Sequence, residues 1–278
     1  LADEHGNAVH FYERDCTIQR RHQKMIEESP CPVLDEKTRE ALCNTALKII
    51  KQADYTNAGT VEFILDKNKN FYFIEANARI QVEHPATEMS TRADMVEWQL
   101  SRPEGHPMRL RQEGLRINGH AIEARLYAEN PEQDFMPSPG KLQAFDYAKT
   151  QGIRVDSGVE AGNIIRADFD PMIAKAVSLG RNRAEAAGHL AAFLGQTNLG
   201  GIYNNRRYLE AILREEDFLH NVLSTRYIGQ KHEQLVQQAD ETPTPEELRF
   251  AIAAFLVRRI FTSSKGMHAG YWRMLNTW

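Results

Sequence analysis

Residues 71–83 read FYFIEANARIQVE. The first seven, with a second β-rich run, TVEFIL at 60–65, flank a polar loop around Lys67 to Asn70. This pattern predicts a β-hairpin. A four-residue loop at 67–70 places Glu62 directly opposite Glu75, where facing Cβ atoms lie about 5 Å apart. Two like charges there repel, so a cation is the natural reason to keep both. Two oxygen-bearing carboxylates suit Mg²⁺ bridging nucleotide phosphates. The competing reading is a solvated strand face with Lys67 and Lys69 nearby.

If the chain stays extended beyond Glu75, alternate residues share a face. One face collects Glu75, Asn77, Arg79, Gln81 and Glu83; the other collects Ile74, Ala76, Ala78, Ile80 and Val82. The expectation is a two-faced wall, with metal-type oxygens at its start, a cation in its middle and a carboxylate at its end. An Arg beside a Glu can hold a small oxyanion while the Glu removes its proton; an edge strand with a solvated face is the alternative. Glu123, Arg125 and Tyr127 alternate with Ile122, Ala124 and Leu126 in the same way. Arg125 there either stabilises a developing oxyanion or pairs structurally with a carboxylate such as Glu123.

The run QRRHQK at 19–24 is dense in donors. The net charge of −4 and the lack of interleaved aromatics argue against nucleic acid. An anion or nucleotide site fits better, against an exposed strand or turn.

Working outward, strands are expected at 9–14 and 19–26. Asp35 reads as the N-cap of a helix reaching about Ala53, with Leu42, Ala46, Ile49, Ile50 and Ala53 on one face. A helix at about 93–101 precedes a linker marked by Pro103, Gly105 and Pro107. A strand at 119–129, a Pro-rich loop at 131–140 and β segments to about 179 follow. Asn182 and Glu185 resemble a capping box, and Gly195 closes that helix. Asn204 caps the next, with Tyr208, Leu209, Ile212 and Leu213 buried. A last helix is expected at 245–260.

The length of 278 residues suggests about two domains, and 42% hydrophobic content excludes wholesale disorder. The longest apolar stretch, 250–257, is too short to span a bilayer. Cys16, Cys31 and Cys43 fit neither a zinc site nor a disulfide framework. A reduced compartment is therefore expected, the cytoplasm first and the mitochondrial matrix as the alternative. The chain opens Leu1-Ala2-Asp3-Glu4 without Met, and is read as starting inside a longer polypeptide.

Seven stretches then occur in a telling order: ERDC (13–16), QRRHQK (19–24), GTVEF (59–63), FIEANARIQVEHPATEM (73–89), GHAIEARLYAENP (119–131), FMPSPGKL (135–142) and DPMIAK (170–175). Together they resemble the biotin carboxylases. Phe135-Met136 and VEWQL at 96–100 look most like the α subunits of methylcrotonyl-CoA or geranyl-CoA carboxylases. The resemblance implies an α+β fold. Residues 1–102 would be the C-terminal part of an ATP-grasp domain, an antiparallel sheet with helices. Residues 103–228 would be a biotin carboxylase C-terminal domain, and 229–278 a helical tail leading to a following module.

The implied activity is ATP-dependent activation of bicarbonate to carboxyphosphate, with Mg²⁺ or Mn²⁺, followed by carboxylation of biotin on a carrier. By the same resemblance Glu62, Glu75 and Asn77 would hold the metal. His22 and Gln19 would contact the nucleotide. Lys24, Arg79, Gln81 and the backbone of Val82 would bind bicarbonate. Glu83 would be the general base, and Arg125 would stabilise the biotin enolate. Implied partners are a biotin carboxyl carrier protein or domain, a carboxyltransferase subunit and a second copy of the chain, with no nucleic acid or membrane. Ala76 and Ala78 stand where the family commonly has Met and Thr; a packing effect is expected. The nucleotide lid would precede Leu1, so the chain alone is expected to be inactive. The rival readings are another ATP-grasp carboxylate–amine ligase and a non-catalytic assembly module.

Overall fold

The computed structural model describes residues 1–101, 107–240 and 245–263. Contacts divide the chain into one unit over Leu1–Ala239 and a second from Asp240 onward. Within the second, residues Pro245–Ser263 form one helix.

The first unit is organised by a five-stranded sheet. Its strands are β1 (Asp15–Arg20), β2 (Gln23–Ser29), β5 (His120–Tyr127), β10 (Ile153–Ser157) and β12 (Met172–Gly180), with β3 (Thr60–Leu65) and β4 (Phe71–Asn77) forming a separate hairpin. The order in the sheet is β1-β2-β5-β12-β10, and all neighbours are antiparallel. All eight residues of the central strand β5 are buried, because both faces of the sheet are covered. Ile122, Ala124 and Leu126 join Ala186, Leu190, Leu194, Leu209 and Ile212 in the main core. That core comes from helices α4 (Arg183–Gln196) and α5 (Arg206–Arg214). On the opposite face Ala121 and Val177 pack against Ala86 of helix α2 (His84–Thr91). The alternation of β5 thus sends its apolar set to α4 and α5, and leaves Glu123 and Arg125 on the α2 side.

Local signals decide several elements. Helix α1 (Glu36–Gln52) starts at Asp35, whose carboxylate accepts from the Thr38 amide. Its predicted apolar face is only half covered: Cys43 is its buried residue, and Ala53 is exposed. Asn182 caps α4 through the Glu185 amide, while Glu185 accepts from the Arg181 amide instead of closing a reciprocal box. Helix α4 runs past Gly195 to Gln196. Helix α5 follows Asn205, whose side chain makes no cap bond; the expected Asn204, one residue earlier, accepts from the Arg206 amide at 3.1 Å, and the helix buries the expected Tyr208, Leu209, Ile212 and Leu213.

Other expectations are corrected. Residues 9–14 form no strand; Val9 and Phe11 instead bury against Leu115 in a small satellite core. The run at 19–26 is not one strand. It reverses at Arg21 and His22, with φ of 48° and 66°, and Arg20 pairs with Gln23. Two positive φ values at a two-residue turn match the twist of the flanking strands, at a cost of roughly 1–2 kcal/mol for each non-glycine residue. Helix α2 was not foreseen, although Pro85 near its first turn is a start signal. Helix α3 begins at Met95 and ends at Ser101. The linker positions Pro103 and Gly105 lie outside the described residues.

Candidate active site

The β3–β4 hairpin closes through two compensating departures from simple geometry. The loop spans 66–70, and Leu65 pairs with Phe71, Ile64 with Tyr72 and Phe63 with Phe73. Asp66 organises it by accepting from the Asn68 and Asn70 amides at 2.8 and 2.9 Å. The register then shifts, so that Glu62 faces Glu75. The expected opposition therefore holds, with a longer loop and a bulge that cancel.

The five-residue wall forms differently. Strand β4 ends at Asn77, and residues 78–83 are bends and a turn leading into α2. Ile74, Ala76 and Ala78 are exposed, so the packing expected of the two alanines is absent. The polar residues still converge, because the turn folds Gln81 and Glu83 back beneath the hairpin. Asn77 Nδ2 bridges Glu62 Oε1 at 3.3 Å and Glu75 Oε1 at 3.0 Å. Gln81 Nε2 donates to Glu62 Oε1 at 2.6 Å. Arg79 stays exposed at the rim, with Nη2 3.3 Å from Asn77 Oδ1.

Glu83 is the hub. Its side chain is 3% exposed, its Oε1 lies 2.6 Å from Lys24 Nζ, and its Oε2 lies 2.9 Å from Arg125 Nη2. Lys24 also reaches Glu62 Oε1 at 3.1 Å, which ties the hairpin to the hub. Burial alone would raise the Glu83 pKa, but Arg14 and Lys24 outweigh it and hold the carboxyl down at about 2. Lys24 is held protonated: burial opposes its charge, and the carboxylates of Glu83 and Glu62 overcome that. Cys16 packs beside Glu83 at 3.8 Å, and burial pushes its thiol pKa well up. It is a small packed residue and not a thiolate nucleophile.

The structure thus brings together Lys24, Glu62, Glu75, Asn77, Gln81, Glu83 and Arg125, with Arg79 at the rim. Gln19 lies in β1 opposite Lys24, and His22 sits in the β1–β2 turn. Among the described residues neither forms a hydrogen bond or ion pair into the cluster. Val82 enters through its carbonyl, which accepts from Lys175 Nζ at 2.6 Å.

Sequence reasoning passed over three further participants. Arg14 donates to Gln81 Oε1 and Thr87 Oγ1, both at 2.8 Å. Glu27 forms an ion pair with Arg125. Lys175, the Cα partner of Arg125 on β12, holds the Val82 turn. Arg14 and Lys175 lie inside the ERDC and DPMIAK stretches, so a signal was present.

The donors at Glu62, Glu75 and Asn77 are hard oxygens whose carboxylates converge on one atom, Asn77 Nδ2. That chemistry suits a small divalent cation. The set is two carboxylates and an amide; no group of three or more His, Cys, Asp or Glu side chains gathers as a metal site among the described residues.

Comparison with known proteins agrees with this geometry. Residues 1–111 match the family model described as "Carbamoyl-phosphate synthase L chain, ATP binding domain", and residues 123–230 match "Biotin carboxylase C-terminal domain". Biotin carboxylase 2 of Bacillus subtilis is 44% identical over 230 residues, covering 83% of this chain and 52% of the relative. The α subunit of mitochondrial methylcrotonoyl-CoA carboxylase from Dictyostelium discoideum is 41% identical over 262 residues, covering 94% of this chain and 37% of the relative. Among solved structures, the biotin carboxylase domain of a thermophilic 2-oxoglutarate carboxylase bound to bicarbonate superposes with a TM-score of 0.83 at 37% identity. The match covers 87% of this chain and 54% of that one. A biotin carboxylase–β,γ-ATP complex from Campylobacter jejuni gives 0.80 at 39% identity, covering 83% and 51%. The chain spans between about a third and a half of the length of these relatives. With both domain models matched in order and the polar cluster assembled between them, the chain belongs to the biotin carboxylase family.

Proposed function

We propose that this chain carries the bicarbonate- and biotin-facing part of a biotin carboxylase site. The reaction is ATP-dependent activation of bicarbonate to carboxyphosphate, then carboxylation of biotin on a carrier. The observation that carries the reading is Glu83 held between Lys24 at 2.6 Å and Arg125 at 2.9 Å. A buried base flanked by two fixed cations is suited to an anionic substrate that must lose a proton. Structural neighbours hold bicarbonate, and one holds MgADP with it.

In this mechanism Lys24, Arg79 and Gln81 orient bicarbonate, and the Val82 turn, fixed by Lys175, lines its site. Glu83 removes the bicarbonate proton. With a pKa of about 2 it is a weak base in the free site. An anion that draws Lys24 toward itself removes part of what depresses that pKa, so substrate strengthens its own base. Arg125 faces charge developing on the ureido oxygen of biotin. Glu62, Glu75 and Asn77 would hold Mg²⁺ or Mn²⁺, which supplies charge neutralisation on the nucleotide phosphates. Gln19 on β1 and His22 on the following turn contact the nucleotide. Residues 1–102, 103–228 and 229–278 serve as the ATP-grasp part, the C-terminal domain and a tail; the five-stranded sheet draws strands from the first two. The partners are a biotin carrier, a carboxyltransferase and a second copy of the chain. Among the described residues no helix is long and apolar enough to cross a membrane.

The test replaces the matching region of the Bacillus subtilis relative with this chain and measures bicarbonate-dependent ADP release with free biotin. The chimaera should turn over, Glu83→Gln should abolish turnover, and the chain alone should not turn over. ADP release indifferent to biotin would favour the amine-ligase reading. Silence in a folded chimaera would favour an assembly module.

A further inference from the structure

Glu27 and Glu123 are Cα partners across β2 and β5. Each is 0% exposed. Facing residues of an antiparallel pair have Cβ atoms about 5 Å apart, so the two carboxyl groups are neighbours beneath the α2 side of the sheet. No oxygen of either side chain receives a hydrogen bond of ordinary geometry. Glu27 meets a cation through its ion pair with Arg125 Nη2, the same nitrogen that holds Glu83.

The remaining charged and titratable neighbours do not resolve this. From β12, Lys175 attracts Glu123 through space, but its ammonium donates to the Val82 carbonyl and lies 3.6 Å from Asp156; from β5, Tyr127 turns its hydroxyl to Arg125. From β2, Lys24 is held by Glu62 and Glu83. From β1, Cys16 is a half-buried neutral thiol. Glu83 has Lys24 as well as Arg125, so the facing pair Glu27 and Glu123 is left with the Arg125 guanidinium it shares with Glu83 and the through-space charge of Lys175. Leaving two facing carboxylates ionised there, away from water and donors, is strongly unfavourable. One proton between them removes a charge and provides the missing donor.

We propose that Glu27 and Glu123 hold a single proton between them and act as a positioning pair, keeping the Arg125 guanidinium turned toward Glu83 and the biotin-facing side. Burial pushes both carboxyls above their ordinary range; Arg125 pulls Glu27 back while Glu83 raises it, and Glu27 raises Glu123 against the pull of Lys175 and Arg125. With one proton shared, Arg125 has one full negative partner on each side, Glu27 below and Glu83 above. When that proton leaves, the charge beneath Arg125 doubles and draws it inward. The functional half of this inference rests on Arg125 being the biotin-facing residue; the shared proton does not.

Infrared spectroscopy of this chain tests the proton first. At neutral pH the wild type should show the C=O stretch of a buried protonated carboxyl, and Glu27→Gln and Glu123→Gln should each remove it. Absence of the band from the wild type, or its survival in both variants, would overturn the proposal; the wild-type spectrum decides even if a variant fails to fold. In the active chimaera, Glu27→Gln should raise the KM for biotin roughly tenfold or more and leave the KM for ATP unmoved. Glu123→Gln should carry the alkaline limb of kcat/KM for biotin to higher pH. Equal changes in both KM values, or an unmoved limb, would reduce the pair to a structural role and overturn positioning. A folded but inactive chimaera would sink the biotin reading, and the infrared result would still decide the proton.

Discussion

The Lys24 ammonium stands 2.6 Å from Glu83 Oε1, across 59 residues of sequence. This contact joins the β2 strand to the turn that precedes α2. Both charges are sheltered, with Lys24 at 21% and Glu83 at 3% side-chain exposure. A pair of this kind is costly to break from one side, because the remaining charge keeps its desolvation cost without its partner.

Glu83→Gln should therefore destabilise the chain at neutral pH by about 3–5 kcal/mol. The Glu83 pKa falls from 4.5 to about 2 on folding, so its contribution is fully present above the unfolded value and is lost as pH falls through the folded one. The wild type should lose stability on the order of 3 kcal/mol from this group over that acid window. Denaturant midpoints measured across it should show a flatter acid limb in Glu83→Gln.

Lys175→Met should cost about 1–3 kcal/mol, since the Val82 carbonyl loses its donor. A fall in the urea midpoint with an unchanged m-value would show that the native compactness survives. In the chimaera the same change should weaken bicarbonate use more than ATP use.

Leu190 is fully buried in the main core beneath the sheet. Leu190→Ala should destabilise by about 2–5 kcal/mol, read as a lowered midpoint in chemical unfolding. An effect below ~1 kcal/mol would show that α4 collapses onto the vacated space.

Gly201 has a φ of +98°, and a Cβ there would run into Lys141 O and meet the Gln143 amide nitrogen at 2.7 Å. Both obstacles are backbone and cannot swing aside. Gly201→Ala should cost at least ~1–3 kcal/mol of strain. Hydrogen exchange should rise at the Gln143 amide, which donates to the adjacent Gly200 carbonyl.

Much of the site was legible because its signals are local. Glu62 and Glu75 lie 13 positions apart on one hairpin, and Asn77, Gln81 and Glu83 follow within a few residues. The mechanism of assembly was less legible. Period-two alternation places residues correctly only while the chain stays extended, and it bends after Asn77. Helix α2 was missed because eight residues, HPATEMST, carry too weak an apolar periodicity to stand out. The strand expected at 9–14 failed because Val9 and Phe11 bury in a small cluster with Leu115 without joining a sheet.

By itself the sequence determined the hairpin, the capped helices α1 and α4, the buried face of α5 and the motifs that mark the family. Each rests on interactions within a few residues, where backbone geometry fixes which side chains meet. Only the tertiary structure decided that Glu27 faces Glu123, that Lys175 lies beside Arg125, and that Lys24 reaches Glu83. The first two are set by strand order and register across β2, β5 and β12. That register is selected by burying whole faces against α2, α4 and α5, a global condition that no local pattern carries.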